Sequence, residues 1–224
     1  MKAVALVFAA LTCGSLFAEV KPLSEPWLKK GETLVCFGDS LTYIKTSYIK
    51  YLTEKLEAKG IKVVNAGLGG DKTPMALTRI RDVAALKPDA VMFFFGANDS
   101  VIGRGRWRDE PTVDPITYRD NLIWMVHYFR LETQVRKFSI VAPTCVFEGE
   151  QSRAFGPVYA EYRLKAREAA DRTDAVLIPL DEEMAQIQTA NPQTPMTRDG
   201  VHLSDVGARH AADIMLRSWH LDAD

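Results

Sequence analysis

Positive charge is not in excess in this sequence. Its 28 lysines and arginines are matched by 29 aspartates and glutamates, which leaves a formal net charge of −1 over 224 residues. Without a basic surplus to follow a phosphate backbone, nucleic acid is excluded as an expected partner. Cysteine is scarce. Cys13, Cys36 and Cys145 are the only three, too few for the disulfide framework of a small secreted scaffold. No apolar run reaches the roughly 20 residues that a membrane-spanning helix needs. Internal repeats, low-complexity tracts, an acidic tail and a dividing linker are missing as well. With 47% hydrophobic residues, the chain can bury one full core, so a single domain is expected.

The first residues depart from that pattern. Met1-Lys2 gives a positive start, residues 3–11 carry neither charge nor hydroxyl, and Glu19 brings the first acidic charge. Residues 1–18 therefore read as a secretory signal peptide cut after Ala18. The expectation is a mature domain over 19–224, secreted or periplasmic, with no membrane span. A lipoprotein signal with Cys13 as the modified residue is the alternative.

Further along, apolar runs alternate with helical patterns. Strands are predicted at residues 33–37, 61–64, 90–95, 138–142 and 175–178, and the third is the most apolar and hence central. Helices are predicted at 46–59, from Thr73 as N-cap with Pro74 at N1, from Asp114-Pro115, at 156–172, near 181–189, and from Ser204 as N-cap through Trp219. Alternating β-α units of this kind imply an α/β fold. The expected form is a three-layer α/β/α sandwich around a five-stranded parallel sheet, in flavodoxin-like order 2-1-3-4-5. In that order the strand of Cys36 and the strand leading to Cys145 lie two spacings apart, nearly 10 Å. A disulfide needs Cα atoms within about 7 Å, so both are expected to stay thiols.

Four short runs carry chemistry: Gly38-Asp39-Ser40-Leu41, Gly67-Leu68-Gly69-Gly70-Asp71, Gly96-Ala97-Asn98-Asp99 and Asp199-Gly200-Val201-His202. The first three follow the first three strands, and the fourth precedes the last helix. All four therefore fall on the rim of the sheet where ligands of open α/β folds bind. Ser40 is a candidate nucleophile, His202 its base and Asp199 the group that orients the base. Ser40, Gly70 and Asn98 are candidate hydrogen-bond donors to an oxyanion. Ordinary turns use the same residue types, so it is the order and spacing that carry weight.

Competing readings fit less well. Position 72, where a dinucleotide loop has its third glycine, is Lys72, and that lysine does not directly follow a glycine as a P-loop lysine must. Of the four histidines, only His202 lies in a loop with a carboxylate three positions back. A metal site from Asp199, His202, Asp205 and His210 lacks a further cysteine or histidine to complete a ligand set.

Together these blocks resemble the SGNH (GDSL) hydrolase family over roughly residues 33–218. The resemblance implies ester hydrolysis without metal or cofactor. It places the nucleophile at Ser40, the Asp-His pair at Asp199 and His202, and the oxyanion hole at Gly70 and Asn98. Substrate is less legible. A stretch over 100–112 holds Arg106 and Trp107, a pairing that suits a sugar face, and no long apolar insertion suggests a lipid lid. A small-molecule or carbohydrate ester with a short acyl group, acetyl above all, is the expected substrate. A lysophospholipase or thioesterase is the alternative. A non-catalytic carbohydrate-binding protein is the alternative of another class.

Overall fold

Five parallel strands in the order β2-β1-β3-β4-β5 organise the chain, in the predicted order. The computed structural model describes residues 23–101, 110–144 and 158–221. In chain order the elements are β1 (Thr33–Gly38), α1 (Ser40–Tyr43), α2 (Tyr48–Ala58), β2 (Lys62–Gly67), α3 (Thr73–Thr78), α4 (Ile80–Ala84) and β3 (Ala90–Phe94). They continue with α5 (Pro115–Glu132), β4 (Lys137–Val141), α6 (Tyr159–Arg172), β5 (Val176–Ile178), α7 (Leu180–Ala190) and α8 (Asp205–Ser218). The segment 1–18, Cys13 and Cys145 lie outside the described residues.

Alternation along each strand divides the core in two. Leu34, Cys36, Met92 and Phe94 face Leu52 and Leu56 of α2 and Ala211 and Met215 of α8. Val35, Phe37, Val91 and Phe93 face Leu122, Met125 and Phe129 of α5 and Ala166 of α6. Every residue of β3 is buried, as its unbroken apolar run requires of a central strand, whereas β2 at the edge is half-exposed. Each fully buried phenylalanine, such as Phe93 or Phe129, adds about 1.5–3 kcal/mol over leaving it in water. Cys36 sits in this core as a free, buried thiol. Trp27, ahead of β1, stacks on Trp219 at 5.2 Å and donates its backbone N–H to the Trp219 carbonyl, tying one end of the domain to the other.

Three local expectations are corrected. The chain does not run as a loop from Ser40 to the helix at 46–59. It makes the short helix α1 first, because the Asp39 carboxylate accepts the Leu41 N–H and caps it. Thr73 is the first residue of α3, not its cap. Its N–H is taken instead by the distant Asp99 carboxylate, at 2.9 Å. The helix beginning there is also not continuous: Arg79 leaves helical geometry (φ −110°, ψ 10°) and separates α3 from α4. Ser204 caps α8 as predicted, accepting the Gly207 N–H at 3.0 Å.

Candidate active site

Ser40 owes its position to the end of β1 and to what crosses it. After Gly38 the chain turns directly into α1, held by Asp39 and by a hydrogen bond between the Thr42 and Tyr48 hydroxyls (2.8 Å). This turn packs hard against the end of β2. A Cβ on Gly67 would lie 2.3 Å from the Tyr43 nitrogen, so only glycine admits the contact. The glycine run of 67–70 is thereby brought beside the serine.

His202 and Asp199 share one turn ahead of α8. Thr197 and Leu203 form an antiparallel bridge, the Arg198 N–H donates to the His202 carbonyl at 2.8 Å, and the Ser204 N–H donates to Met196. Within that brace Gly200 turns the chain at φ +98°, a conformation side chains resist. One Asp199 oxygen accepts the N–H groups of Val201 (3.0 Å) and His202 (2.8 Å). The other lies 2.7 Å from His202 Nδ1. Burial pushes the Asp199 carboxyl up, but hydrogen bonds from the imidazole and the two N–H groups outweigh it and hold the group below the ordinary carboxylate value. An ionised carboxylate at Nδ1 keeps a proton there and leaves Nε2 as an acceptor. That nitrogen is 3.0 Å from Ser40 Oγ. The three predicted groups thus form one continuous chain of hydrogen bonds.

Asn98, past β3, joins the two loops on the other side of Ser40. Its Nδ2 donates to Asp39 Oδ2 and to the Asp71 carbonyl, both at 3.1 Å. It therefore touches the neighbour of Ser40 and the neighbour of Gly70 at once. Among the described residues, the backbone N–H groups of Ser40 and Gly70 have no acceptor. Both amide protons of Asn98 are engaged, so donation to a third acceptor requires release of one of these two.

Sequence reasoning missed a group of buried carboxyls around Asn98. Burial, together with the nearby Asp99 and Asp71 charges, pushes Asp39 up to about 7, against hydrogen bonds from Leu41 and Asn98. Burial likewise pushes Asp99 up to about 6, although Thr73 donates to it from both its N–H and its hydroxyl. The visible signal was the aspartate in each of the first three motifs. Turn residues alone account for aspartate there, which hid its burial.

Other predicted residues stand apart. Arg106 and Trp107 lie outside the described residues. Asp205 accepts from Arg209 (3.2 Å) and from the Tyr51 hydroxyl, away from His202. Among the described residues, no group of three or more His, Cys, Asp or Glu side chains is placed to hold a metal ion. No helix among them is long and apolar enough to cross a membrane.

Comparison with known proteins bears on the fold and the family. Solved structures with the same fold include an acetyl xylan esterase, AlAXEase, at 26% identity and TM-score 0.70, covering 82% of this chain and 97% of its own. The lipase/acylhydrolase from Enterococcus faecalis is also 26% identical, at TM-score 0.68, with 83% and 94% covered. The acetylxylan esterase Axe2 from Geobacillus stearothermophilus is 24% identical, at TM-score 0.70, with 86% and 95% covered. No curated protein matches the chain in sequence. The model of the GDSL-like lipase/acylhydrolase family matches residues 36–210, which takes in all four motifs. The chain belongs to that family and is a carboxylic ester hydrolase.

Proposed function

We propose that this protein is a secreted serine esterase that removes short acyl groups, acetyl above all, from small-molecule or carbohydrate esters. The observation that carries the reading is the unbroken chain from Ser40 Oγ through His202 to the Asp199 carboxylate. Ser40 Oγ attacks the acyl carbon as its proton passes to His202 Nε2, and the carbonyl electron pair moves onto oxygen. The N–H groups of Ser40 and Gly70 receive that oxyanion, and Asn98 joins them by turning one amide proton from its present acceptor. Collapse breaks the ester C–O bond, and the leaving alkoxide takes the proton from His202. A water then attacks the acyl-enzyme by the same route, His202 accepting its proton, and Ser40 leaves with that proton restored.

The 26% identical acetyl xylan esterase among the similar structures supports acetyl as the group removed. The 26% identical lipase/acylhydrolase favours the second reading, a lysophospholipase or thioesterase. Export rests on the residues 1–18 alone. A series of p-nitrophenyl esters from acetate to palmitate, run beside acetylated xylo-oligosaccharides, tests the substrate. The expected result is a kcat/KM that falls steeply beyond butyrate, with acetate released from the oligosaccharides. A maximum at eight carbons or more would overturn the short-acyl reading, and inactivity on every ester would overturn the enzyme.

A further inference from the structure

Arg79 is outside the group that reacts, yet it touches both segments that frame it. Its Nε donates to Asp71 Oδ2 at 2.6 Å, Nη1 to the Ala66 carbonyl at 2.7 Å and Nη2 to the Gly38 carbonyl at 3.1 Å. The guanidinium carbon lies 4.5 Å from the centre of the Phe37 ring, which fixes the plane of the fork. The side chain is only 19% exposed, so water competes little for these bonds.

Each acceptor has a place in the site. Gly38 closes β1 two residues before Ser40. Ala66 is the penultimate residue of β2, and Asp71 follows Gly70 directly. One rigid cation thus spans the turn that carries the nucleophile and the loop that carries the Gly70 N–H. The break between α3 and α4 falls at Arg79 itself and lets its stem leave the helix toward these carbonyls. Asn98 joins the same two segments, through Asp39 and the Asp71 carbonyl. A lysine in place of Arg79 keeps the charge but not a planar fork that meets three acceptors.

We propose that Arg79 is a positioning residue for ester hydrolysis: its fork sets the spacing between the Ser40 turn and the Gly70 loop, so that both N–H groups converge on one oxyanion. This rests on the serine-esterase reading above. Spacing of oxyanion donors matters in the transition state and little in the ground state, so its loss lowers kcat and leaves KM alone.

The test compares wild type, Arg79→Lys and Ser40→Ala on p-nitrophenyl acetate, with folding followed by circular dichroism and thermal melting. For folded Arg79→Lys the expected loss in kcat is about 10- to 100-fold, the scale of a misplacement near 1 Å, with KM within about twofold. In Arg79→Ala, added methylguanidinium should restore part of kcat without raising Tm. A folded Arg79→Lys with kcat within twofold of wild type overturns the proposal, as does a loss that appears wholly in KM. If Arg79→Lys does not fold, Asp71→Asn removes the charged partner of the fork and carries the same criteria. Activity persisting in Ser40→Ala overturns the serine reading instead, so the two failures are distinct.

Discussion

Ser40 Oγ and His202 Nε2 stand 3.0 Å apart across 162 positions of sequence, whereas His202 reaches its carboxylate from only three positions away. On the serine-esterase reading proposed above, the long-range bond activates the nucleophile and the short-range one orients its base. A fluorophosphonate should therefore add covalently at Ser40, with the adduct located by peptide mass spectrometry. His202→Gln should reduce both labelling and kcat by roughly 10⁴-fold or more, as losing one member of such a unit does elsewhere. Labelling at another residue in active enzyme would remove Ser40 from the role.

Asn98 donates both of its amide protons inside the protein, to Asp39 and to the Asp71 carbonyl. If one of them turns to the oxyanion during reaction, Asn98→Ala should lower kcat about 100- to 1000-fold in a folded protein. The measurement is steady-state kinetics with a melting curve beside it. A near-normal kcat would leave the hole to the two backbone N–H groups alone.

The buried carboxyls give stability an inverted pH dependence. Asp39 and Asp99 are pushed up to about 7 and about 6, above the ordinary aspartate value that the unfolded chain regains. Between about pH 4 and 7 the folded protein therefore holds protons that the unfolded one has lost. Unfolding releases them, so stability falls as pH rises through this window. Calorimetric Tm should be higher at pH 5 than at pH 7.5, and Asp39→Asn should flatten the slope. A wild-type Tm that climbs from pH 5 to 7.5 would contradict the shifts.

Cys36 lies on β1, between β2 and β3, with its side chain in the core, and burial pushes its thiol up, away from the reactive thiolate. Native protein should leave Cys36 unmodified by an aromatic disulfide reagent over the minutes in which an exposed thiol reacts. Denaturation should release it, and peptide mapping identifies the residue. Rapid modification of Cys36 in folded protein would mean that β1 is not buried as described.

The strands and their order were legible because apolar runs flanked by glycine and proline have few other uses, and β3 is the clearest instance. Ser40, His202 and Asp199 were legible as candidates for a different reason: each sits in a motif placed at a strand end or ahead of a helix, on one rim of the sheet. What escaped were the contacts to distant partners that no motif names. Nothing beside Thr73 announces that Asp99 will take its N–H. Nothing around Arg79 shows that its side chain will reach back to carbonyls on two strands and interrupt a helix whose apolar pattern runs on. The helix α1 was hidden because Gly38 and Asp39 are also what a plain turn uses.

The turn between Met196 and Ser204 carries its own backbone bridge, its own glycine and its own carboxylate-to-imidazole bond. It is therefore a self-contained cartridge, rooted in the core by Met196, Val201 and Leu203: a shift of α8 moves imidazole and carboxylate together and alters only their distance to Ser40. Inactivation by mild heat or denaturant should then begin as a parting of intact halves, reversible for as long as the cartridge keeps its shape. The downfield NMR resonance of the His202 Nδ1 proton should outlast catalysis as the protein loosens, marking a base that is still armed but out of reach.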